Sequence, residues 1–237
     1  NLYAYQGGQP ERLEWSQAGR DSRQSSNYQM KVATSDWLDQ FRGYINFEYL
    51  EHLGSSDSRD SKNTALLIIE ELLNQREPPP PFLSYFLGEL ASEGTLKTLF
   101  SSGRLLNDFP DIRSRGARLL SEVGTLQDIS LLIRLLTFEY DSVVQREIIS
   151  ALGALMSDQT GDATAAISVV IQKDLNGKKN PDPHLAMAGL KALEAIHRYA
   201  GSMPHDSGYE TLFAVYRGNY QKDVREYALA VIRGLGG

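Results

Sequence analysis

The segment IRSRGARLLSEVG, residues 112–124, decides the fold because its pattern recurs three more times along the chain. The other copies are VQREIISALGALM at 144–156, LAMAGLKALEAIH at 185–197 and VREYALAVIRGLG at 224–236. In all four copies the first, eighth, ninth and twelfth positions are apolar, and the fifth and sixth are glycine or apolar. In a helix with about 3.6 residues per turn this spacing forms one apolar stripe, so each copy predicts an amphipathic helix.

The copies predict an array of helical hairpins. They start about 30 to 40 residues apart, which is the spacing of stacked two-helix repeats. One hairpin cannot bury its apolar stripe alone, so neighbouring hairpins must stack to make a continuous core. The predicted first helices of the four hairpins are Thr95–Leu106, Leu126–Thr137, Asp162–Leu175 and a helix that opens at Ser207.

Two of these helices carry a capping sequence at their start. Thr125-Leu-Gln-Asp128 is similar to a capping box with Asp in place of Glu, and Ser207-Gly-Tyr-Glu210 matches the S-x-x-E box. Three more helices are predicted upstream: Ser35 or Asp36 to Leu53 with a stop at Gly54, Thr64–Gln75, and Phe82–Ser92 as a degenerate copy of the pattern. The predicted fold class is all-α, and the helical domain covers residues 35–237.

The motif residues resemble HEAT repeats, especially the short class named after phycobilisome lyases. The first copy matches through Pro110, Asp111, Ile112, Arg113, Ala117, Leu120 and Gly124, and the last through Asp223, Val224, Arg225, Ala228, Ile232 and Gly236. The two middle copies depart from the motif, because Gln145 and Ala186 stand where the family prefers Arg. The resemblance covers about residues 60–237. It implies an α-α superhelix, or solenoid, whose second helices line the concave face.

Residues 1–34 differ from the rest and form a separate predicted segment that is extended and irregular. NLYAY at 1–5 alternates like a strand, and so short a strand has no partner in a helical array. The segment resembles the closing part of a quinoprotein-type (PQQ-like) β-propeller through Leu2, Tyr3, Ala4, Trp15, Arg20, Asp21 and Ser25. This resemblance implies an upstream propeller and a location in the periplasm or cell envelope. The alternatives are a disordered extension and a cytoplasmic protein.

The composition argues against several classes of protein. Hydrophobic residues make up 41% and charged residues 23% of the 237 residues, which is typical of a folded chain. A formal net charge of −6 argues against a nucleic-acid-binding protein, which usually has a basic surplus. The longest apolar runs, such as Ala65–Ile69, are too short to span a membrane. Because there is no cysteine, disulfides and thiolate chemistry are excluded.

The sequence contains no motif for catalysis or cofactor binding. The four histidines, His52, His184, His197 and His205, are never three or four residues apart, so they form no metal-binding pair on one helix face. The HExxH, GxSxG, Walker and GxGxxG patterns are also absent. We therefore expect no catalytic residue, no metal, no cofactor and no enzymatic activity.

The expected function is protein–protein interaction through the concave face. The third, seventh and tenth positions of each copy point away from the core stripe, and they contain four bases. We expect these bases to form a basic ridge that receives an acidic segment of another protein. The candidate binding residues are Arg118, Arg146, Met187, Lys191, Glu194 and Arg233. The alternative is that the bases are solvated or are neutralised by Glu122, Glu147, Glu194 and Glu226.

Two other functions stay open at the level of the sequence. The HEAT-like class also contains bilin-lyase-like enzymes, which need a pocket for the chromophore. A helical-repeat nucleic-acid-binding protein, such as a DNA glycosylase, needs a basic groove lined with aromatic residues, and an acidic chain does not favour it.

Overall fold

The computed structural model describes residues 47–74, 79–80, 82–155 and 157–235. All described residues belong to one unit of the chain, Asn46–Gly237. The predicted segment 1–34, with its propeller-like NLYAY strand, and the predicted helix start at Ser35 or Asp36 therefore lie outside the described residues.

The described part of the chain is all-α, as predicted, apart from a short β-hairpin. The helices are α1 (Phe47–Ser55), α2 (Arg59–Asn74), α3 (Phe82–Ala91), α4 (Pro110–Val123), α5 (Ile129–Phe138), α6 (Ser142–Leu155), α7 (Asp162–Gly177), α8 (Pro183–Ala200), α9 (Asp206–Arg217) and α10 (Lys222–Gly234). A 3-10 turn, Leu126–Asp128, precedes α5. The strands β1 (Phe100–Ser101) and β2 (Arg104–Leu105) pair antiparallel between α3 and α4.

The helices pack in two layers. Layer B contains α2, α4, α6, α8 and α10, and each of these helices packs beside the next. Layer A contains α1, α3, α5, α7 and α9, with α1 on α3, α5 on α7 and α7 on α9. Each layer A helix also packs on the layer B helix that follows it in sequence. Stacked hairpins require this arrangement, and a HEAT-like superhelix stays a prediction.

The apolar stripe of the four copies forms the buried face of layer B, as predicted. The four helices that carry the copies are α4, α6, α8 and α10. The buried residues among the shared apolar positions are Ile112, Leu119, Leu120, Val144, Ala151, Leu152, Leu185, Ala192, Leu193, Ile196, Val224 and Val231. Val123, Leu155, Ile232 and Leu235, near the ends of their helices, are half-buried.

The predicted helix Thr95–Leu106 is wrong. This segment forms a turn and the β1–β2 hairpin, and the helix that precedes the first copy and packs on α4 is α3. Ser102 and Gly103 at the hairpin tip have φ angles of 52° and 78°, and two successive positive φ angles suit a two-residue hairpin turn. The side chain of Asn107 stabilises this backbone by accepting a hydrogen bond from the N–H of Leu99 at 2.8 Å.

The two predicted capping boxes have different outcomes. Thr125 and Asp128 form the expected box, in which Asp128 Oδ2 accepts a hydrogen bond from Thr125 N at 2.6 Å. The box at Ser207 is wrong, because α9 begins at Asp206 and Ser207 lies inside its first turn. His205 is the N-cap instead, and its Nδ1 accepts a hydrogen bond from Ser207 N at 3.2 Å.

The first described helices are present with shifted ends. α1 passes Gly54 and ends at Ser55, while α2 begins at Arg59 instead of Thr64. The hydroxyl of Ser58 favours this earlier start, since it accepts a hydrogen bond from Ser61 N at 3.4 Å.

A buried ion pair between Arg113 and Glu139 joins α4 to the segment that leads into α6. Arg113 is fully buried, and it donates from Nε to Glu139 Oε2 at 2.7 Å and from Nη2 to Oε1 at 3.2 Å. Its Nη1 donates to Asp108 Oδ1 at 2.8 Å and to the carbonyl of Glu93 at 3.1 Å. Glu139 Oε1 also accepts from the two backbone N–H groups that follow it, each at 2.9 Å. Both charges therefore have the additional hydrogen bonds that a buried ion pair needs.

The buried carboxylate of Glu93 extends this network toward α1 and α2. Lys62 Nζ donates to Glu93 Oε1 at 2.9 Å and to the carbonyl of Gly54 at 2.6 Å. Asn107 Nδ2 donates to the other carboxylate oxygen, Oε2, at 2.7 Å. The network supplies hydrogen bonds to buried main-chain groups in the region between α3 and α4, where no helix can supply them.

The position of the HEAT-like Arg has a different role in each copy. Arg113 is buried in the network, whereas Arg225, its counterpart in the last copy, is exposed. In the second copy the position is Gln145, whose Nε2 donates to the carbonyl of Glu139 at 2.7 Å. The described copies therefore carry no Asp–Arg ladder from one repeat to the next.

Removing one partner of the buried ion pair should destabilise the fold strongly. We expect Arg113→Met to lower the free energy of unfolding by about 3–5 kcal/mol, because Glu139 is left charged and unpaired in the interior. Urea denaturation followed by circular dichroism measures this change. The control is Arg198→Met, which removes an exposed pair with Glu194 and should cost less than about 1 kcal/mol. Equal costs for the two variants would contradict the prediction.

Asp108 makes part of the stability depend on pH. Burial acts to raise its pKa, but the hydrogen bonds from Tyr140 and Arg113 outweigh this effect and bring the pKa below its usual value. Such a carboxyl stabilises the fold above its unfolded pKa of about 4, and this contribution is lost as the pH falls through the folded pKa. We expect the stability difference between wild type and Asp108→Asn to be constant above about pH 5 and to shrink below about pH 4. Urea denaturation across this pH range tests it, and a difference unchanged in acid would argue against this role.

Candidate partner-binding groove

Layer B has a hollow between each pair of adjacent helices from α4 to α10. The α6–α8 groove has a volume of about 340 Å³ and is lined by Arg146, Glu147, Ser150, His184, Met187, Ala188 and Lys191. The α8–α10 hollow, of about 290 Å³, is lined by Glu194, His197, Arg198, Gly201, Val231, Gly234 and Leu235. The α4–α6 hollow, of about 350 Å³, is lined by Pro110, Asp111, Ser114, Arg115, Asp141 and Val143.

The helical period explains why the residues of the α6–α8 groove lie together. On α8, His184, Met187 and Lys191 are three and four residues apart, so they share one face. On α6, Arg146 and Ser150 are four residues apart and share a face in the same way. The buried stripe of each helix lies on its other side, so the core fixes the walls while the groove stays open to solvent.

Small residues hold α6 and α8 close together beside the groove. A Cβ atom placed on Gly153 would lie 2.8 Å from Ala192 Cα and 2.9 Å from Ala192 Cβ. Non-bonded carbon atoms do not approach so closely, so position 153 accepts only glycine at this helix separation. The contact therefore sets the distance between the two walls.

The α6–α8 groove carries a surplus of positive charge. Arg146 Nε lies 3.7 Å from Glu147 Oε1, which is too long for a good hydrogen bond. Lys191 is exposed and makes no ion pair with any residue that the structure describes. The hydroxyl of Ser150 donates to the carbonyl of Arg146 at 2.9 Å, so its oxygen can still accept a hydrogen bond from a ligand. Two bases thus face one carboxylate in a lining that also contains Met187.

Three of the six predicted binding residues meet in this groove: Arg146, Met187 and Lys191. The other two bases of the predicted ridge lie elsewhere. Arg118 on α4 pairs with Glu70 of α2 and lies 3.7 Å from Glu122. Arg233, in the last turn of α10, is exposed and lines none of the three hollows.

The remaining predicted residue, Glu194, lines the α8–α10 hollow, and both of its carboxylate oxygens already accept hydrogen bonds within the protein. Its Oε1 accepts a hydrogen bond from Arg198 Nη2 at 2.7 Å, and its Oε2 accepts one from the Tyr227 hydroxyl at 2.6 Å. Burial and this hydrogen bond raise the pKa of Tyr227 to about 12, so the hydroxyl keeps its proton at neutral pH. Because each carboxylate oxygen has a donor, Glu194 offers less to a partner than the two bases of the α6–α8 groove do.

Four of the seven residues that line the groove are not among the six predicted binding residues: Glu147, Ser150, His184 and Ala188. His184 precedes the third copy by one residue, so a search restricted to the thirteen repeat positions leaves it out. Its spacing of four residues from Ala188 and seven from Lys191 is the signal that could have identified it, because such residues share a helix face.

Comparison with known proteins gives no related protein from which a function could be transferred. No protein-family model matches this chain, and no curated protein matches it. Within residues 47–235, apart from the few positions that the structure leaves undescribed, no group of His, Asp and Glu side chains could hold a metal ion. None of the described helices combines the length and the apolar character needed to cross a membrane.

Enlarging Gly153 should push α6 and α8 apart and disturb the groove. We expect Gly153→Val to lower the free energy of unfolding by about 1–3 kcal/mol, because the new side chain overlaps Ala192. The control is Gly177→Val at the end of α7, where an added Cβ has no atom within 4 Å and should cost little. Urea denaturation measures both variants. Equal stability of the two variants would mean that the helices separate without cost.

Proposed function

We propose that this protein is a non-catalytic interaction module that binds an acidic segment of another protein in the α6–α8 groove. The observation that carries the proposal is the presence of Arg146 and Lys191 in one groove with Met187, where the single carboxylate, that of Glu147, lies 3.7 Å from Arg146 Nε and leaves Lys191 without an ion pair among the described residues. Of the three hollows described above, which are similar in size, this one combines two bases with a single acid.

The chemistry of the lining favours a segment that carries both acidic and apolar side chains. The two bases attract carboxylates over a distance and increase the rate of encounter more than they increase affinity. Met187 adds an adaptable apolar contact, since its unbranched thioether side chain can adjust to ligands of different shape. The hydroxyl of Ser150 and the imidazole of His184 add polar groups that can orient the segment.

The resemblance of the motif to HEAT repeats supports the same surface. In that family the second helices of the hairpins line the concave face, and here the second helices form layer B. In this proposal the chain is a HEAT-like scaffold module, and the apolar positions of each copy build the stack while the outward positions bind the partner.

The proposal also includes the origin of residues 1–34 and the compartment. Their resemblance to the end of a PQQ-like β-propeller supports a propeller before the helical array and a periplasmic or cell-envelope location. Cell fractionation tests the compartment, and recovery of the protein in the cytoplasm would contradict this part of the proposal alone.

Reversing the charge of the groove should weaken the binding of an acidic peptide. The probe is a fluorescein-labelled peptide in which Asp and Glu alternate with Leu, and binding is followed by fluorescence anisotropy at low salt. We expect Arg146→Glu/Lys191→Glu to weaken binding about tenfold or more, which corresponds to about 1.4 kcal/mol. A peptide with Lys in place of the acidic residues should not bind the wild-type protein.

The control for this experiment has the same change in net charge. Arg134→Glu/Lys173→Glu reverses two exposed bases on α5 and α7, which belong to layer A. We expect this variant to bind like the wild type. If both variants lose affinity equally, the peptide responds to net charge and not to the groove. If the wild-type protein does not bind the acidic peptide, the proposal is wrong.

A further inference from the structure

An aromatic stripe runs along α9 on the side away from α7. Tyr209, Phe213 and Tyr216 follow one another at spacings of four and three residues, so they share one helix face. Their exposed fractions are 37%, 42% and 38%. The side of α9 that faces α7 is marked by Thr211, whose hydroxyl accepts a hydrogen bond from Gln172 at 3.1 Å. Among the described residues no helix beyond α9 covers the aromatic stripe.

Helix α10 extends this apolar surface. Its contact with α8 is marked by Tyr227, whose hydroxyl donates to Glu194. Leu229 and Ile232 lie on the other side of α10 and are only half-buried. The α9–α10 hairpin therefore presents apolar side chains on the side that no other described helix covers.

The charges beside the stripe make it complementary to itself. Glu210 and Arg217 are exposed and lie two helical turns apart on one face, on either side of Phe213. The Arg217 guanidinium lies 5.7 Å from the centre of the Phe213 ring, and Glu210 makes no ion pair with any described residue. When two α9 helices pack antiparallel with Phe213 near the centre, Glu210 lies opposite Arg217 of the partner subunit, and the symmetric pair forms as well. A parallel arrangement would place like charges together.

We infer that the protein forms a symmetric homodimer in which α9 packs antiparallel against α9 of a second copy. The outward side of the α9–α10 hairpin is about 18 Å long, from twelve residues, and about 20 Å wide, from two adjacent helices. Such a face buries roughly 800 Å² in total, which is less than the about 1,200 Å² of a stable interface, so the dimer is expected to be weak and to depend on concentration. The stripe shares no residue with the α6–α8 groove, so the dimer and peptide binding are tested independently.

Sedimentation equilibrium of the full chain at about 10–500 µM tests the dimer. We expect the average mass to rise toward twice 26.4 kDa with concentration. Phe213→Glu should remain monomeric over the whole range, because it places two carboxylates at the centre of the interface. The control is Tyr85→Glu on α3, which alters an aromatic residue of 64% exposure outside the stripe and should dimerise like the wild type. A monomeric wild-type protein at all concentrations would overturn the inference.

A charge-swap series tests the antiparallel arrangement. We expect Glu210→Arg and Arg217→Glu each to weaken dimerisation about tenfold or more, since each single change places like charges opposite one another. The double variant Glu210→Arg/Arg217→Glu should recover the wild-type association, and a mixture of the two single variants should form heterodimers. Both substituted residues are exposed, so the variants keep the monomer fold, which circular dichroism checks. Single variants that dimerise as well as the wild type, or a double variant that does not recover, would overturn the arrangement.

Discussion

The buried ion pair between Arg113 and Glu139 is the interaction on which the described arrangement depends. Between α3 and α4 the chain leaves the helical pattern, and its buried main-chain groups need partners from side chains. Arg113 supplies part of these, and Glu139 binds the first N–H groups of the segment that leads into α6. The ion pair thus fixes α6 relative to α4. The contact of Gly153 with Ala192 then fixes α8 relative to α6 and gives the groove its width.

The sequence was sufficient to predict the layer B helices that carry the four copies, because apolar residues repeated at helical spacing indicate an amphipathic helix. It was misleading at Thr95–Leu106, where Leu96, Leu99 and Phe100 have helix-compatible spacing. There the backbone follows tertiary contacts: Ser102 and Gly103 adopt positive φ angles, and Asn107 binds the hairpin. The predicted N-cap of α9, Ser207, was wrong for a more local reason. His205 and Ser207 are both able to cap a helix, and a spacing rule cannot distinguish candidates two residues apart.

For the residues proposed to bind a partner, the sequence predicts only the side of the helix on which they lie. The position in the repeat indicates which side of its helix a residue occupies. Arg146, Met187 and Lys191 line the groove, as their outward positions predict, whereas Gly153, at another predicted outward position, is buried against Ala192. Whether such a charge stays available depends on residues that are distant in sequence. Arg118 is engaged by Glu70, which lies in α2, and Glu194 is engaged by Tyr227 of α10. The i,i+4 spacing does predict the local neighbours, Glu122 of Arg118 and Arg198 of Glu194. The contacts with Glu70 and Tyr227 appear in no local pattern, because they form only when layer B is assembled.

The departures from the HEAT-like motif and the location of the groove belong together. The motif Arg is present in the first copy, where Arg113 is withdrawn into the core network. The second and third copies have Gln145 and Ala186 at this position, and the α6–α8 groove lies between those two copies. Their helices still stack, because the apolar positions are kept and Gly153 accepts Ala192. The motif Arg is therefore needed in the first copy, where Arg113 holds the buried network, and not in the two middle copies, whose outward residues Arg146 and Lys191 form the proposed binding surface. The core and the proposed binding surface are thus encoded largely at different positions of the same repeat. Gly153 links the two, because it lies at an outward position of its copy and yet packs against Ala192 and sets the width of the groove.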